Sequence, residues 1–268
     1  MRPLKGIVWL FYFGISYLIF AEAVESWIKL PAAGNIVFTL VFVLFSVTHC
    51  AALEGGKRTA IFFFASALIT YAMEEIGVRT GWVFGAYHYS DLLGPKLGHV
   101  PVLIPLGWFM MIYPSWIVAR ALLQGLNTRS WLGIVLQAAI AAMTMTAWDV
   151  VMDPAMSTAG ANWVWENGGA FYGVPRHNYL GWMVTTFLVY LIAGSIWKAT
   201  DRNHAKERWF PLLPVFVYAL FAVRYVAYNH YPALQMVAIF SMGLPALLAV
   251  TRVFLISNSL SAGEDRRC

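Results

Sequence analysis

Charge is scarce in this chain. Of 268 residues, 12% are Asp, Glu, Lys or Arg, about half the ~25% usual in a soluble domain. Together with 60% hydrophobic residues and a mean hydropathy of +0.66, this excludes an ordinary water-soluble globule and points to lipid as the solvent. Cysteine is nearly missing: Cys50 and Cys268 leave no disulfide framework and no Cys-based metal site. Glycine-rich phosphate loops and the compact His spacings of zinc helices are both absent. The start lacks the basic segment, short apolar core and small-residue cleavage site of a secretory signal, so the first apolar run is expected to stay as a helix. A pI near 9.2 would suggest nucleic acid for a soluble protein. Here an excess of Lys and Arg in cytoplasmic loops accounts for it, and no nucleic-acid partner is expected.

What is abundant is long apolar runs. A spanning helix needs about 20 mostly apolar residues, and eight runs qualify, near 4–21, 34–53, 59–76, 101–123, 131–152, 178–197, 211–228 and 233–256. Under that count thirteen of the 18 Lys and Arg fall at the termini and in alternate loops. Only Lys29, Arg79, Lys96, Arg176 and Arg224 fall on the other side. The asymmetry predicts a multi-pass cell-membrane protein with both termini in the cytoplasm. A strand reading fails, because lipid-exposed strands must close into a barrel and the runs lack its alternating period. The expected class is all-α integral membrane, a single polytopic domain over 1–257. A charged linker runs from Lys198 to Arg208, and a polar, disordered tail is expected over 258–268.

Two stretches repeat each other. Glu74–Met110 and Trp148–Val184 each start with acids at the end of an apolar run and cross a loop rich in Trp, Tyr and Gly. Each then closes on Val-Pro, five residues and Gly-Trp. An offset of 74 superposes Glu75 on Asp149, Pro101 on Pro175 and Gly107-Trp108 on Gly181-Trp182. The spacing predicts a parallel internal duplication with halves of about 59–123 and 131–197. Its two long loops, roughly 77–100 and 153–177, would leave one non-cytoplasmic face. Loops of this length are usually functional or disordered, and their aromatic content argues against disorder.

Ionisable groups near membrane depth are costly and usually face a bundle's interior. Glu74, Glu75, Asp149 and Asp153 are expected at carboxyl-terminal helix ends, where the macrodipole and desolvation both favour the protonated form of a buried acid. The matched pair Glu75 and Asp149 is the prime catalytic candidate, with Glu74 and Asp153 beside it. Asp149 and Asp153 share a helix face at i, i+4, yet Pro154 biases Asp153 toward ending that helix. Alternatively these acids pair with Arg79 or Arg176, or reach headgroup water. His88, His99 and His177 with Asp91 make a metal conceivable, but no metal and no cofactor is expected. His49 reads as a hydrogen-bonded core histidine. Tyr71 lies one turn before Glu75 on the same face, and Asn178 is placed to orient a carboxylate or water.

The motifs E-x-x-G-x-x-T-G-x-x-F-G-x-Y-x-Y, V-P-x-x-I-P-L-G-W, T-A-W-D-x-x-M-D-P-x-M and G-V-P-x-x-N-x-x-G-W resemble the carotenoid biosynthesis family. That family includes carotenoid 1′,2′-hydratases and bisanhydrobacterioruberin hydratases, and the resemblance runs from about Gly34 to Phe254. It implies a membrane enzyme that adds water to the terminal double bond of an acyclic ψ-end group, with an acyclic carotenoid and membrane lipid as partners and association with other carotenoid enzymes conceivable. Such a hydration needs an acid, a stabilised tertiary cation and water. Asp149 is expected as acid and Glu75 as base, or the reverse. The expected rings around the cation are Trp148, Trp82, Trp163, Trp165 and Tyr87, and Phe84, Tyr71, Trp108, Trp182 and Asn178 complete the expected substrate contacts. A polyene about as long as the ~30 Å hydrocarbon core would enter sideways from lipid and react near one interface. Rival readings are a carotenoid cyclase, a Mg²⁺-dependent prenyltransferase using Asp149 and Asp153, a proton-coupled transporter, and a non-catalytic carotenoid-binding partner.

Overall fold

The computed structural model describes residues 2–197 and 209–264. The charged linker expected from Lys198 to Arg208 lies outside the described residues. Among those residues, eight segments are long and apolar enough to cross a membrane. They are formed by α1 (Arg2–Ala23), α2 (Asn35–Glu54), α3 (Gly56–Thr80), α4 (Leu103–Leu122), α5 (Trp131–Pro154), α6 (Arg176–Trp197), α7 (Leu213–Ala227) and the pair α8 (Pro232–Ala238) and α9 (Leu244–Glu264). The protein is an all-α, multi-pass membrane protein. α9 continues to Glu264, into the stretch expected as a polar, disordered tail from residue 258.

α4 is the axis of the bundle, packed by α2, α3, α5, α7 and α9. Its interior Pro114 has no N–H to give the Met110 carbonyl four residues earlier, a loss that lipid cannot make good. Ser46 Oγ from α2 donates to that carbonyl instead, at 2.9 Å. On α7, the Tyr218 hydroxyl donates to the Thr144 carbonyl of α5 at 2.8 Å. The expected core histidine, His49, is held between the Tyr113 hydroxyl (2.7 Å) and the Phe210 carbonyl (2.8 Å). In this way Ser46, His49 and Tyr218 tie neighbouring elements together at depth.

Both acid-bearing helices run further than their hydropathy suggests. α3 continues to Thr80 and stops where Gly81 takes a left-handed conformation, φ +70°, its N–H donating to Gly77. α5 passes through Pro154 into a π turn, Ala155–Ala159. Widened turns of that kind absorb a proline and often mark functional sites. Asn229 Nδ2 donates to the Val151 carbonyl beside the break, at 3.2 Å. The four acids therefore sit inside their helices rather than at the ends, and the helix-end argument does not apply to them, because a helix end acts only over its last turn.

The long loops carry structure that the sequence pattern did not signal. β1 (Tyr87–Tyr89) from the first pairs antiparallel with β4 (Trp163–Trp165) from the second, with Tyr87 opposite Trp165 and Tyr89 opposite Trp163. A second two-stranded sheet joins β2 (Lys96–Leu97) to β3 (Val100–Pro101). Three-residue strands are too short to show a period, and the partners lie 76 or so positions apart. The pairing places both loops at one end of the bundle, hereafter the loop end.

Candidate active site

Neighbouring residues on an α-helix point about 100° apart, so Glu74 and Glu75 face different surroundings. The structure places Glu74 inside. Its side chain is buried and takes three donors: the Tyr87 hydroxyl, the Tyr89 hydroxyl at 2.7 Å and the Trp108 indole N–H at 2.9 Å. Tyr87 and Tyr89 alternate with exposed His88 along β1, and a strand's period of two puts both phenols on one face. Burial first, and then the Glu74 charge, hold both phenols well above their ordinary value. Both therefore remain O–H donors near neutral pH.

Glu75 points elsewhere. It accepts the His99 backbone N–H at 3.0 Å and lies 2.8 Å from His99 Nδ1. A side chain on Gly98, which sits at φ +61°, would come within 2.9 Å of the Glu75 carboxylate. Glu75 thus organises the β2–β3 turn. Tyr71, from the same helix face, donates to the Leu97 carbonyl of that turn at 3.3 Å rather than to Glu75.

The second half builds a parallel arrangement from α5 and β4. Asp153 Oδ1 accepts the indole N–H groups of Trp163 (2.9 Å) and Trp165 (3.2 Å). The Asn178 amide nitrogen lies 2.8 Å from Asp153 Oδ2 and 2.8 Å from Asp149 Oδ2. Both aspartates are buried. Asp149 Oδ1 has no hydrogen-bond partner in the structure.

Glu74 and Asp153 open on one cavity of 330 Å³. Its wall includes Phe84, Tyr87, Trp108, Trp148, Trp163, Trp165, Asn178 and Trp182, each of which the sequence had put forward. Trp108 and Trp182, equivalent under the offset of 74, stack with ring centroids 3.8 Å apart and planes inclined by 20°. Trp148 meets Trp182 edge-on at 5.9 Å. Phe84 reaches the wall because Gly181 leaves room: a Cβ there would lie 2.2 Å from the Val83 carbonyl oxygen.

Four expected site residues lie off the wall. Asp149 sits behind it, joined to Asp153 through Asn178. Glu75 and Tyr71 face the β2–β3 turn. Trp82, 77% exposed, belongs to the surface of the loop end. Residues that the sequence reading passed over also appear on the wall. Tyr89 was visible in the Y-x-Y alternation of Tyr87 to Tyr89. Glu22 of α1 pairs with Arg224 of α7 at 3.2 Å, a contact between helices far apart in the chain that no local pattern reveals. Among the described residues, no three of His, Cys, Asp and Glu gather as metal ligands. His88 faces Glu166 at 3.5 Å and His99 faces Glu75.

A sequence profile described as carotenoid biosynthesis protein matches residues 34–251, most of the chain and all of this cavity's helices except α1. The chain belongs to the carotenoid biosynthesis protein family. Within it, this member is 32% identical over 137 residues to the bisanhydrobacterioruberin hydratase of Haloarcula japonica. That stretch covers 51% of this chain and 45% of the relative, so the chain matches less than half of the relative's length. No solved structure matches.

Proposed function

We propose that this protein hydrates the terminal C1,C2 double bond of an acyclic carotenoid end group. The observation that carries the proposal is the convergence of Glu74 from α3 and Asp153 from α5 on a single cavity walled by indoles. Asp153 transfers a proton to C-2, and the C1,C2 π pair becomes the new C–H bond. The tertiary cation left at C-1 lies against Trp108, Trp182 and Trp148, whose faces contribute about 0.5–2 kcal/mol each when desolvated. A water oxygen then bonds to C-1 and gives up one proton to Glu74. Net, one water is added and the two carboxyls have exchanged a proton between them.

The neighbour of each acid, rather than its donors, supports that division of roles. Glu74 and Asp153 each accept three donors, as only an acceptor oxygen can, but no second carboxyl is hydrogen-bonded to a donor of Glu74. Asp153 has a second carboxyl, Asp149, one amide away, and two buried carboxyls so close together hold a proton between them at less cost than two charges. Asn178 positions the pair. Water can approach along the polar edge of the cavity, where Glu22, Arg224, Asn229 and His230 lie. That edge favours hydration over cyclisation, which starts with the same protonation but must exclude water. The loop end is taken as non-cytoplasmic, with both ends of the chain inside, and the two halves as products of a duplication.

Purified protein reconstituted with an acyclic carotenoid should yield a product heavier by one water, with the oxygen coming from labelled water. An isomeric product of unchanged mass would replace hydration by cyclisation, and unaltered substrate would remove the enzyme reading.

A further inference from the structure

A cavity of 330 Å³ stands at the low end of ligand pockets, about 300–1,000 Å³. It encloses an end group but not a chain as long as the ~30 Å hydrocarbon core. The remaining length has to leave somewhere. The cavity's polar edge at Glu22 and Arg224 is a poor exit for a hydrocarbon. Another edge is different: Asn35 and Met156 line both the cavity and a second, more open hollow of 460 Å³. That groove lies between the start of α2, the turn after β1 and the π turn after α5. Its apolar wall is formed by Ile36, Val37 and Leu92, which are 47%, 54% and 63% exposed at the level where α2 begins.

The threshold between the two hollows has a fixed side and a lighter one. Asn162 is fixed: its N–H donates to the Met156 carbonyl at 3.0 Å, and its own carbonyl accepts the Ser90 N–H at 3.0 Å and the Ser90 hydroxyl at 3.1 Å. Asn35, the exposed first residue of α2, reaches across with one side-chain bond, Nδ2 to Asn162 Oδ1 at 3.2 Å. Met156, whose unbranched side chain adapts to irregular spaces, fills the remaining gap.

We infer that this groove, entered past Asn35 and Met156, holds the unreacted length of the polyene and is its lateral way in from lipid. The inference rests on the proposed polyene substrate. It locates the part of the protein that reads chain length, apart from the acids that act on the end group.

The test fills the groove without touching the acids. Val37→Trp and Leu92→Trp, both at exposed positions, should raise KM for lycopene about tenfold while leaving that for a short monoterpene with the same isopropylidene end unchanged. In parallel, a dye on Val37→Cys in a Cys268→Ser background (Cys50 is buried) should be quenched by bound lycopene and not by the monoterpene. If wild type hydrates lycopene, the filled variants match it and the dye stays bright, the groove is overturned and the function stands. If lycopene quenches the dye but is never hydrated, the groove stands and the proposed reaction falls.

Discussion

Positions related by the offset of 74 meet at the cavity with different chemistry. Positions 74 and 148, 104 and 178, and 108 and 182 all line it. In the first half these are Glu, Ile and Trp, and in the second Trp, Asn and Trp. Only the stacked indoles agree. Each half surrounds one carboxyl with two ring donors from a short strand, phenols from β1 around Glu74 and indoles from β4 around Asp153. The acids themselves are not equivalent, since the counterpart of Glu74 is Trp148. Matched positions on different helices can thus reach one wall, which depends on backbone placement, while the reactive groups stand at unmatched positions.

That comparison can be broken most sharply at the acids. Glu74→Gln and Asp153→Asn should each lower turnover by about 10²–10⁴-fold, with the purified variants eluting as the wild type does; a rate within tenfold for either would remove that half from the chemistry. The shared indoles come next. Trp108→Leu and Trp182→Leu should each slow the reaction about 2–30-fold, the equivalent of ~0.5–2 kcal/mol of lost cation stabilisation, and steady-state rates at saturating substrate check it. Unequal losses would show that the cation sits nearer one half.

Glu75 provides the contrast to Glu74. Glu75→Gln should leave turnover within about twofold and cost ~0.5–1.5 kcal/mol of stability at the β2–β3 turn, read as a lower apparent Tm; a collapse of activity would restore the pairing of Glu75 with Asp149. The smallest effect concerns the phenols, which are raised in the folded protein by burial and by Glu74. Their contribution is complete below the ordinary tyrosine value of about 10 and is lost above it, where the unfolded chain ionises first. Apparent Tm should therefore fall above about pH 10, and Tyr87→Phe with Tyr89→Phe should flatten that fall.

Much of the site was legible in the residues. Most of the rings singled out in the two loops line the cavity, because aromatic-rich loops leaving one end of a bundle have few places to meet. The choice between Glu74 and Glu75 was not legible. A match by offset aligns positions along the chain, whereas a single step on a helix turns a side chain by about 100°. Asp153 was named but ranked below Asp149 for another reason: Pro154 reads as a terminator, and only the π turn and the Asn229 donor show how the helix carries on.

The chain alone determined the eight apolar helices and the family, because lipid requires long runs that satisfy their own backbone and because the motifs are contiguous. Which acid faces which, the pairing of β1 with β4, the Glu22–Arg224 contact and the groove past Asn35 were decided by packing. Each depends on the rotation of one helix against another, a quantity that local spacing does not contain.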